Sequence, residues 1–152
     1  MSEIEKLAEI RQYIRDSRYA VLNYVREDLS PISRTIGSFA LDGDDLFFST
    51  GKDAAKVREI GGHPRLSVHF EREGQQLESW KSVLLIGDAE QESPGTNGHA
   101  RAVQLLSAKS PRFRERIEKG DLAGIAIHRI HIRELQFLDF SKSPVPIRIT
   151  VS

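Results

Sequence analysis

Residues 34–56 read RTIGSFALDGDDLFFSTGKDAAK, and this stretch decides the fold. Apolar and β-branched residues lie on both sides of a DGD turn signal at 42–44, a pattern typical of a β-hairpin. We predict a strand over 32–41, a turn, and a second strand over 46–50. A glycine ends the second strand, and a short helix that carries Lys56 is expected to follow.

The predicted hairpin brings together side chains that suit a phosphate monoester. Arg34 on the first strand is expected near Ser49 and Thr50 on the second, and Lys56 comes from the first turns of the helix. Two cations, two hydroxyls and a helix N-terminus offer charge-assisted hydrogen bonds and a favourable dipole end. The alternative is that Arg34 and Lys56 are ordinary solvated surface residues.

The rest of the chain extends this hairpin into a mainly β domain over 1–152. Further strands are predicted over 19–26, 65–71, 77–90, 124–132 and 134–140. Helices are predicted over 1–16, where Ser2 and Glu5 have capping-box spacing, and over 99–108 and 111–119. The tail 141–152 is read as coil, although 147–151 alternates and can dock as an edge strand. About six antiparallel strands with peripheral α-helices favour a small β-barrel.

Composition and charge restrict the function. Lysine plus arginine total 22 and aspartate plus glutamate total 22, so neither nucleic acid nor a membrane is expected as a partner. The absence of cysteine excludes disulfides and thiolate metal sites. No apolar run approaches the ~18 residues of a membrane span. The N-terminal segment carries acidic residues and has no apolar signal core, so we expect a cytoplasmic protein.

Histidines and a basic cluster give weaker signals. His128 and His131 are the closest pair, but their odd separation in a strand places them on opposite faces, so no metal site is expected. The simplest interpretation puts four histidines on strand or helix surfaces: His69, His99, His128 and His131. A solvated helix face is the simplest interpretation of the basic cluster Arg112, Arg114, Arg116 and Lys119. Contact of that cluster with an anionic substrate or partner is the alternative.

Four segments resemble the flavin-binding core of the pyridoxamine 5′-phosphate oxidase-like split barrels. The first is the Arg34, Thr50 and Lys56 arrangement, in which the lysine follows the threonine by six positions. The others are HPRLSV at 63–68, WKSV at 80–83 and GDAE at 87–90. The similarity covers most of 17–140 and implies a six-stranded antiparallel split β-barrel with peripheral helices.

The resemblance also implies a cofactor site and a homodimer. Arg34 and Lys56 would bind the FMN phosphate with help from Thr50, and the flavin would lie at the subunit interface. The backbone of 35–36 would follow the isoalloxazine ring, and the second subunit would add contacts from the Trp80 strand. The full set of cofactor-binding residues that the resemblance implies is Arg34, Thr35, Ile36, Ser49, Thr50, Lys56 and Trp80.

Departures from the family pattern imply a diverged member rather than the oxidase itself. Ala54-Ala55 replaces the Ser-Arg pair that binds phosphate before the lysine, and Phe39 replaces the lysine that holds the substrate phosphate. The sequence therefore favours an FMN-dependent oxidoreductase with an unknown small-molecule substrate. Two alternatives stay open for the cofactor, a deazaflavin or haem. Two also stay open for the function: cofactor binding without turnover, as in a stress-response or carrier protein, and a dimeric interaction domain.

Overall fold

A computed structural model describes residues 2–151, and antiparallel β-structure dominates it. The strands are β1 (Ala20–Val25), β2 (Pro31–Ile36), β3 (Phe39–Asp42), β4 (Asp45–Gly51), β5 (Arg65–Glu71), β6 (Lys81–Glu92), β7 (Ile125–Asp139) and β8 (Ile147–Thr150). The α-helices are α1 (Glu3–Asp16), α2 (Ala55–Gly62), α3 (Asn97–Lys109) and α4 (Pro111–Glu118). The predicted split barrel with peripheral helices is confirmed in class, with eight strands in 2–151 rather than six.

The strands form one sheet in the order β2-β1-β5-β6-β7-β4-β3, and β8 pairs with the C-terminal part of β7. The sheet curls around a core of apolar side chains from every part of this path. Its two end strands, β2 and β3, follow one another in the chain but pair with different neighbours, β1 and β4. The barrel is therefore split between β2 and β3, and only a two-residue connection joins the two sides.

The predicted single strand over 32–41 is wrong because the chain breaks at Gly37 and Ser38. Ile36 and Phe39 are both buried in the same core, an odd separation that an unbroken strand would place on opposite faces. The break restores the inward direction for both side chains. It also lets β3 form the predicted hairpin with β4, in which Gly43 adopts a positive φ of 60°.

The predicted boundary between strands 124–132 and 134–140 is also wrong, since β7 runs through both. Ile132 and Leu135 both face the core, which again requires a one-residue offset. A β-bulge supplies it: Ile86 pairs with Glu134 while the next residue, Gly87, pairs with Ile132. The residues at 77–79 form a 3₁₀ turn instead of the start of β6. The docking of 147–150 as an edge strand is confirmed.

Helices cover two surfaces of the sheet. The predicted capping of α1 is confirmed, because Ser2 Oγ accepts from the Glu5 N–H at 3.2 Å, and Ile10 and Ile14 of this helix are fully buried in the barrel core. The pair α3–α4 covers a second apolar cluster on the outer side of β4 and β7, formed by Ala40, Phe47, Ala102, Leu106, Phe113, Ile125 and Ile127. No helix within 2–151 has the length and apolar content needed to cross a bilayer.

We expect Gly87→Ala to destabilise the protein, because the added methyl group has no room at the bulge. Its Cβ would lie 2.6 Å from Ile130 Cγ2 and would also collide with the His131 carbonyl oxygen, which belongs to rigid strand backbone. Such overpacking typically lowers the free energy of unfolding by about 1–3 kcal/mol, which urea denaturation measures. Gly61→Ala in α2 is the control, since no described heavy atom beyond its own helix backbone and chain neighbours lies within 4 Å of its Cβ. Equal stability of the two variants would contradict this reading of the bulge.

Candidate functional site

The helix α2 places Lys56 beside the end of β4. Ile60 anchors the helix in the barrel core, where it is 1% exposed. On the same helix Glu59 accepts a hydrogen bond from the Tyr24 hydroxyl at 3.3 Å, which ties α2 to β1. The helix begins at Ala55 after the N-cap residue Ala54, which has no side chain able to cap it. The N–H groups of the first turn are therefore left without a side-chain acceptor.

A hollow of about 330 Å³, here called the Lys56 cavity, opens where the barrel is split. Its volume lies at the lower end of the roughly 300–1,000 Å³ range of small-molecule sites. The lining residues come from the β2–β3 connection, the end of β4, α2 and α4: Thr35, Ile36, Gly37, Ser38, Ser49, Thr50, Lys56, Ser110, Arg112, Phe113 and Arg116. Five residues of the predicted cofactor set thus share one cavity.

The other two predicted residues lie close by. Arg34 does not line the cavity; its Nη1 donates to the Ser33 carbonyl at 3.0 Å, but it is near enough to Lys56 to lower the lysine pKa. Trp80 lies in a neighbouring cleft of about 270 Å³, where its Nε1 donates to Glu71 at 3.2 Å. Thr35 lines both hollows, so the cleft and the Lys56 cavity adjoin along β2.

Lys56 is a half-buried cation without a counter-ion. Burial is the larger cause that lowers the pKa of its ammonium group, and the positive charge of Arg34 lowers this pKa further. Among residues 2–151, no side chain hydrogen-bonds or ion-pairs with Lys56, and no carboxylate lines the cavity. Such a charge is costly in the folded protein unless an anion neutralises it. The donor set therefore fits a phosphate group.

Hydroxyl groups complete one wall of the cavity. Ser38 and Ser49 hydrogen-bond to one another through their hydroxyls, and the Ser49 N–H donates to the Ser38 carbonyl at 3.0 Å. The hydroxyls of Thr35 and Thr50 have no partner among the described residues, so both are available to a ligand. This wall can donate to phosphate oxygens and to the hydroxyls of an attached chain.

The helix α4 contributes two arginines to the lining of the cavity, and this part of the lining is called the α4 wall. Arg116 is held by Asp121, which accepts from its Nε at 2.9 Å and from its Nη2 at 2.6 Å. Arg112 is exposed and has no side-chain partner in the described part of the chain. Between them Phe113 is buried in the apolar cluster beneath the helix and fixes its position. Both arginines face the cavity because positions i and i+4 share a helix face.

A larger hollow of about 670 Å³ lies at the far end of α2, but carboxylates line it together with arginines. Arg26 pairs with Asp28 at 2.9 Å, and Glu59 adds a further carboxylate to the lining. Three carboxylates (Glu27, Asp28 and Glu59) thus outnumber two guanidinium groups there, whereas the charged and hydroxyl groups that line the Lys56 cavity are cations and hydroxyls. We therefore identify the Lys56 cavity as the candidate site.

The surface position expected for His128 is wrong, because this histidine lies in the core next to the site. It is 2% exposed, its ring stacks on Phe48 with centroids 4.9 Å apart, and its Nδ1 has no hydrogen-bond partner within 2–151. Its pKa is lowered to about 4, mainly by burial and to a smaller extent by the positive charge of Lys56. His99, 7% exposed, is also buried, whereas His131 is exposed as expected. At neutral pH His128 is uncharged and adds no second cation beneath Lys56.

A family model described as pyridoxamine 5′-phosphate oxidase matches residues 7–135, most of the chain. The chain belongs to the pyridoxamine 5′-phosphate oxidase family. The match includes β1 to β6, α2 to α4 and the first part of β7, and therefore every residue that lines the Lys56 cavity. No curated protein matches the chain in sequence.

Solved structures similar to this family member differ in what they bind. A heme-binding protein from Mycobacterium smegmatis has a TM-score of 0.78 at 14% identity, covering 93% of this chain and 56% of its own. An FAD-binding protein from Mesorhizobium loti has a TM-score of 0.68 at 22% identity, covering 90% and 94%. A Clostridium acetobutylicum protein related to general stress protein 26 has a TM-score of 0.74 at 12% identity, covering 99% and 97%. These similarities show the fold alone, and the chain spans little more than half of the Mycobacterium smegmatis protein.

Sequence reasoning missed the α4 wall and the role of Ser38 in this family member. The simplest interpretation of the basic cluster is a solvated helix face, with contact to an anionic ligand as the alternative, whereas the i, i+4 spacing of Arg112 and Arg116 indicates one common face. The predicted unbroken strand over 32–41 includes Ser38, so it does not predict the hydrogen bond between Ser38 and Ser49 at the cavity. The closure of α4 onto β4 depends on long-range packing that local spacing does not reveal.

We expect His128 to make the protein less stable as the pH falls from 7 to 5. In the unfolded chain His128 has the ordinary pKa of 6.5, whereas in the folded chain its pKa is about 4. In this window the unfolded state binds more protons, so the free energy of unfolding drops as the pH falls. With about 1.4 kcal/mol per unit of pKa difference, the loss attributable to His128 is about 2 kcal/mol at pH 5.

His128→Phe tests this expectation because phenylalanine preserves the stacking on Phe48. Urea denaturation of the variant at pH 7 and pH 5 should show a smaller loss of stability on acidification than the wild type. His63→Phe, at the C-cap of α2, is the matched control for the replacement of a histidine by phenylalanine outside the core. A His128→Phe variant with unchanged acid sensitivity would show that His128 is not the group that titrates.

Proposed function

We propose that the protein binds FMN through its phosphate in the Lys56 cavity and acts as a flavin-dependent oxidoreductase on a small molecule. The observation that carries the proposal is the half-buried Lys56 ammonium, which has no counter-ion among residues 2–151. A dianionic phosphate would neutralise Lys56 and the neighbouring Arg34 together. The same dianion would accept from the uncapped first turn of α2, where the helix dipole favours negative charge.

The residues of the chain would bind and orient the cofactor. Lys56 and Arg34 hold the phosphate, Thr50 donates a further hydrogen bond, and Ser49 lies where the ribityl chain would leave the cavity. Thr35 and Ile36 lie on the exposed edge strand β2, which leads from the cavity to the Trp80 cleft. When bound, FMN supplies the capacity for hydride and electron transfer.

The proposed working form is a homodimer with the flavin at the subunit interface. The cavity of about 330 Å³ accommodates the phosphate end of a flavin but leaves a ring on β2 uncovered on one side. A second copy would cover the ring and exclude water from it, with its own Trp80 strand as the proposed contact. We also propose that this dimer functions in the cytoplasm.

Within 2–151 no histidine or carboxylate lines the cavity as a candidate general acid or base, which suits hydride transfer at the flavin. The nearby His128 is buried in the core. The protein would thus contribute binding, orientation and shelter rather than proton transfer. A deazaflavin with a phosphate-bearing side chain would satisfy the same cation set.

Cofactor binding without turnover is the second candidate function. His69 lines the Trp80 cleft with Tyr19 and Arg72, which gives a planar macrocycle an imidazole and aromatic contacts outside the Lys56 cavity. The structural likeness to the heme-binding protein of Mycobacterium smegmatis supports testing haem in this role. A carrier of haem or flavin would need the cleft but no substrate channel.

We expect Lys56→Ala to weaken FMN binding about ten- to a hundredfold, because loss of a charge-assisted contact costs roughly 1.5–3 kcal/mol. Quenching of flavin fluorescence during titration of the apoprotein measures the affinity. Lys52→Ala is the matched control, since Lys52 is exposed on the turn before α2 and does not line the cavity.

An equal affinity of Lys56→Ala and wild type for FMN would reject the Lys56 cavity as the phosphate site. The absorption spectrum of the purified protein gives an independent result: flavin bands support the proposal, and a Soret band without flavin bands favours the haem-binding alternative. Loss of the Soret band in His69→Ala would then assign haem to the Trp80 cleft.

A further inference from the structure

The Lys56 cavity holds more positive charge than one phosphate monoester requires. Lys56 and the adjacent Arg34 already match a dianion, yet Arg112 and Arg116 of the α4 wall line the same cavity. Asp121 offsets Arg116 alone, and no acidic residue of 2–151 pairs with Arg112. Like charges that converge on one hollow repel one another unless anions separate them.

We propose that the α4 wall is a second anion subsite, centred on Arg112, which takes a second phosphoryl group beside the phosphate at Lys56. This inference rests on the proposed function for the first phosphate but concerns a different wall and different residues. Ligands with two adjacent phosphoryl groups, or two phosphorylated molecules side by side, would use both walls at once.

In α4 the donors available to an anion are the arginine side chains rather than the N–H groups of the helix N-terminus. Pro111 has no N–H to offer, and the Ser110 hydroxyl already accepts from the Phe113 N–H at 3.2 Å. Arg116 is oriented by Asp121 through Nε and Nη2, which leaves its Nη1 without a partner among residues 2–151. Arg112 keeps its whole guanidinium fork for a bidentate contact with a phosphoryl group.

The second phosphoryl group has two chemical sources. It can be the second phosphate of a dinucleotide flavin such as FAD, whose diphosphate would then span from Lys56 to Arg112. It can also belong to a separate phosphorylated substrate that binds next to the FMN phosphate. The cavity of about 330 Å³ admits the anionic ends of such ligands, while their larger parts remain outside on the protein surface.

The test compares inorganic phosphate with inorganic pyrophosphate by isothermal titration calorimetry on the full-length apoprotein. We expect the wild type to bind pyrophosphate more tightly, and Arg112→Ala to lose about tenfold in pyrophosphate affinity with little change for phosphate. Arg114→Ala is the matched control, because Arg114 is exposed on the same helix but does not line the cavity. It should keep the wild-type preference.

Two further titrations identify the source. A preference for FAD over FMN that disappears in Arg112→Ala assigns the subsite to the cofactor. Binding of inorganic phosphate to the FMN-loaded wild type, lost in Arg112→Ala, assigns it to a substrate.

Two results would overturn the subsite: no preference of the wild type for pyrophosphate, or equal losses in Arg112→Ala and Arg114→Ala. A failure of FMN to bind while the Arg112-dependent pyrophosphate preference persists would reject the proposed function and leave the subsite standing. Conversely, Lys56-dependent FMN binding without an effect of Arg112→Ala would reject the subsite alone.

Discussion

The break at Gly37 and Ser38 is the constraint on which the rest of the structure depends. Ile36 and Phe39 must both enter the barrel core, and a regular strand cannot turn both inward. The chain solves this by leaving one side of the sheet and joining the other, so β2 pairs with β1 while β3 pairs with β4. Gly37 and Ser38, the residues of the break, line the opening of the Lys56 cavity, so the split in the barrel creates the candidate site.

The electrostatics of the site follow from what surrounds this opening. Lys56 is half-buried by the packing of α2 on the barrel, and Arg34 stands close to it on the edge strand. Burial keeps His128 uncharged at neutral pH, so it adds no further positive charge next to Lys56. No carboxylate of residues 2–151 lines the cavity, so a bound anion would neutralise this charge.

Local patterns in the sequence predicted those elements whose identity depends on neighbouring residues. The bounds of β5 were predictable to the residue because Leu66, Val68 and Phe70 alternate without interruption. The presence of α1 and its end at residue 16 were predictable because its cap and periodicity agree, although the helix begins at Glu3 rather than at residue 1. The offsets in the β2–β3 segment and in β7 were not predictable in this way. Both offsets depend on which side chains meet in the core. The inward–outward alternation of these segments can be recognised in the sequence only when the position of the break or bulge is known.

The candidate site shows the same division. The shared location of Thr50 and Lys56 was predictable, since a strand end and the next helix are linked by a short turn. The contribution of α4 was not, because Arg112 is distant in sequence and reaches the cavity through the packing of Phe113. Trp80 was expected in the cofactor set and lies in the adjoining cleft, so its contact with a cofactor remains a prediction.

The most direct test of the central claim is the pKa of the Lys56 ammonium, measured by NMR from the pH dependence of its ¹³Cε resonance. We expect the pKa in the free protein to lie below the usual lysine value, and to rise when inorganic phosphate or FMN occupies the cavity. An ordinary pKa that neither anion changes would contradict the claim that Lys56 is a buried charge awaiting a phosphate.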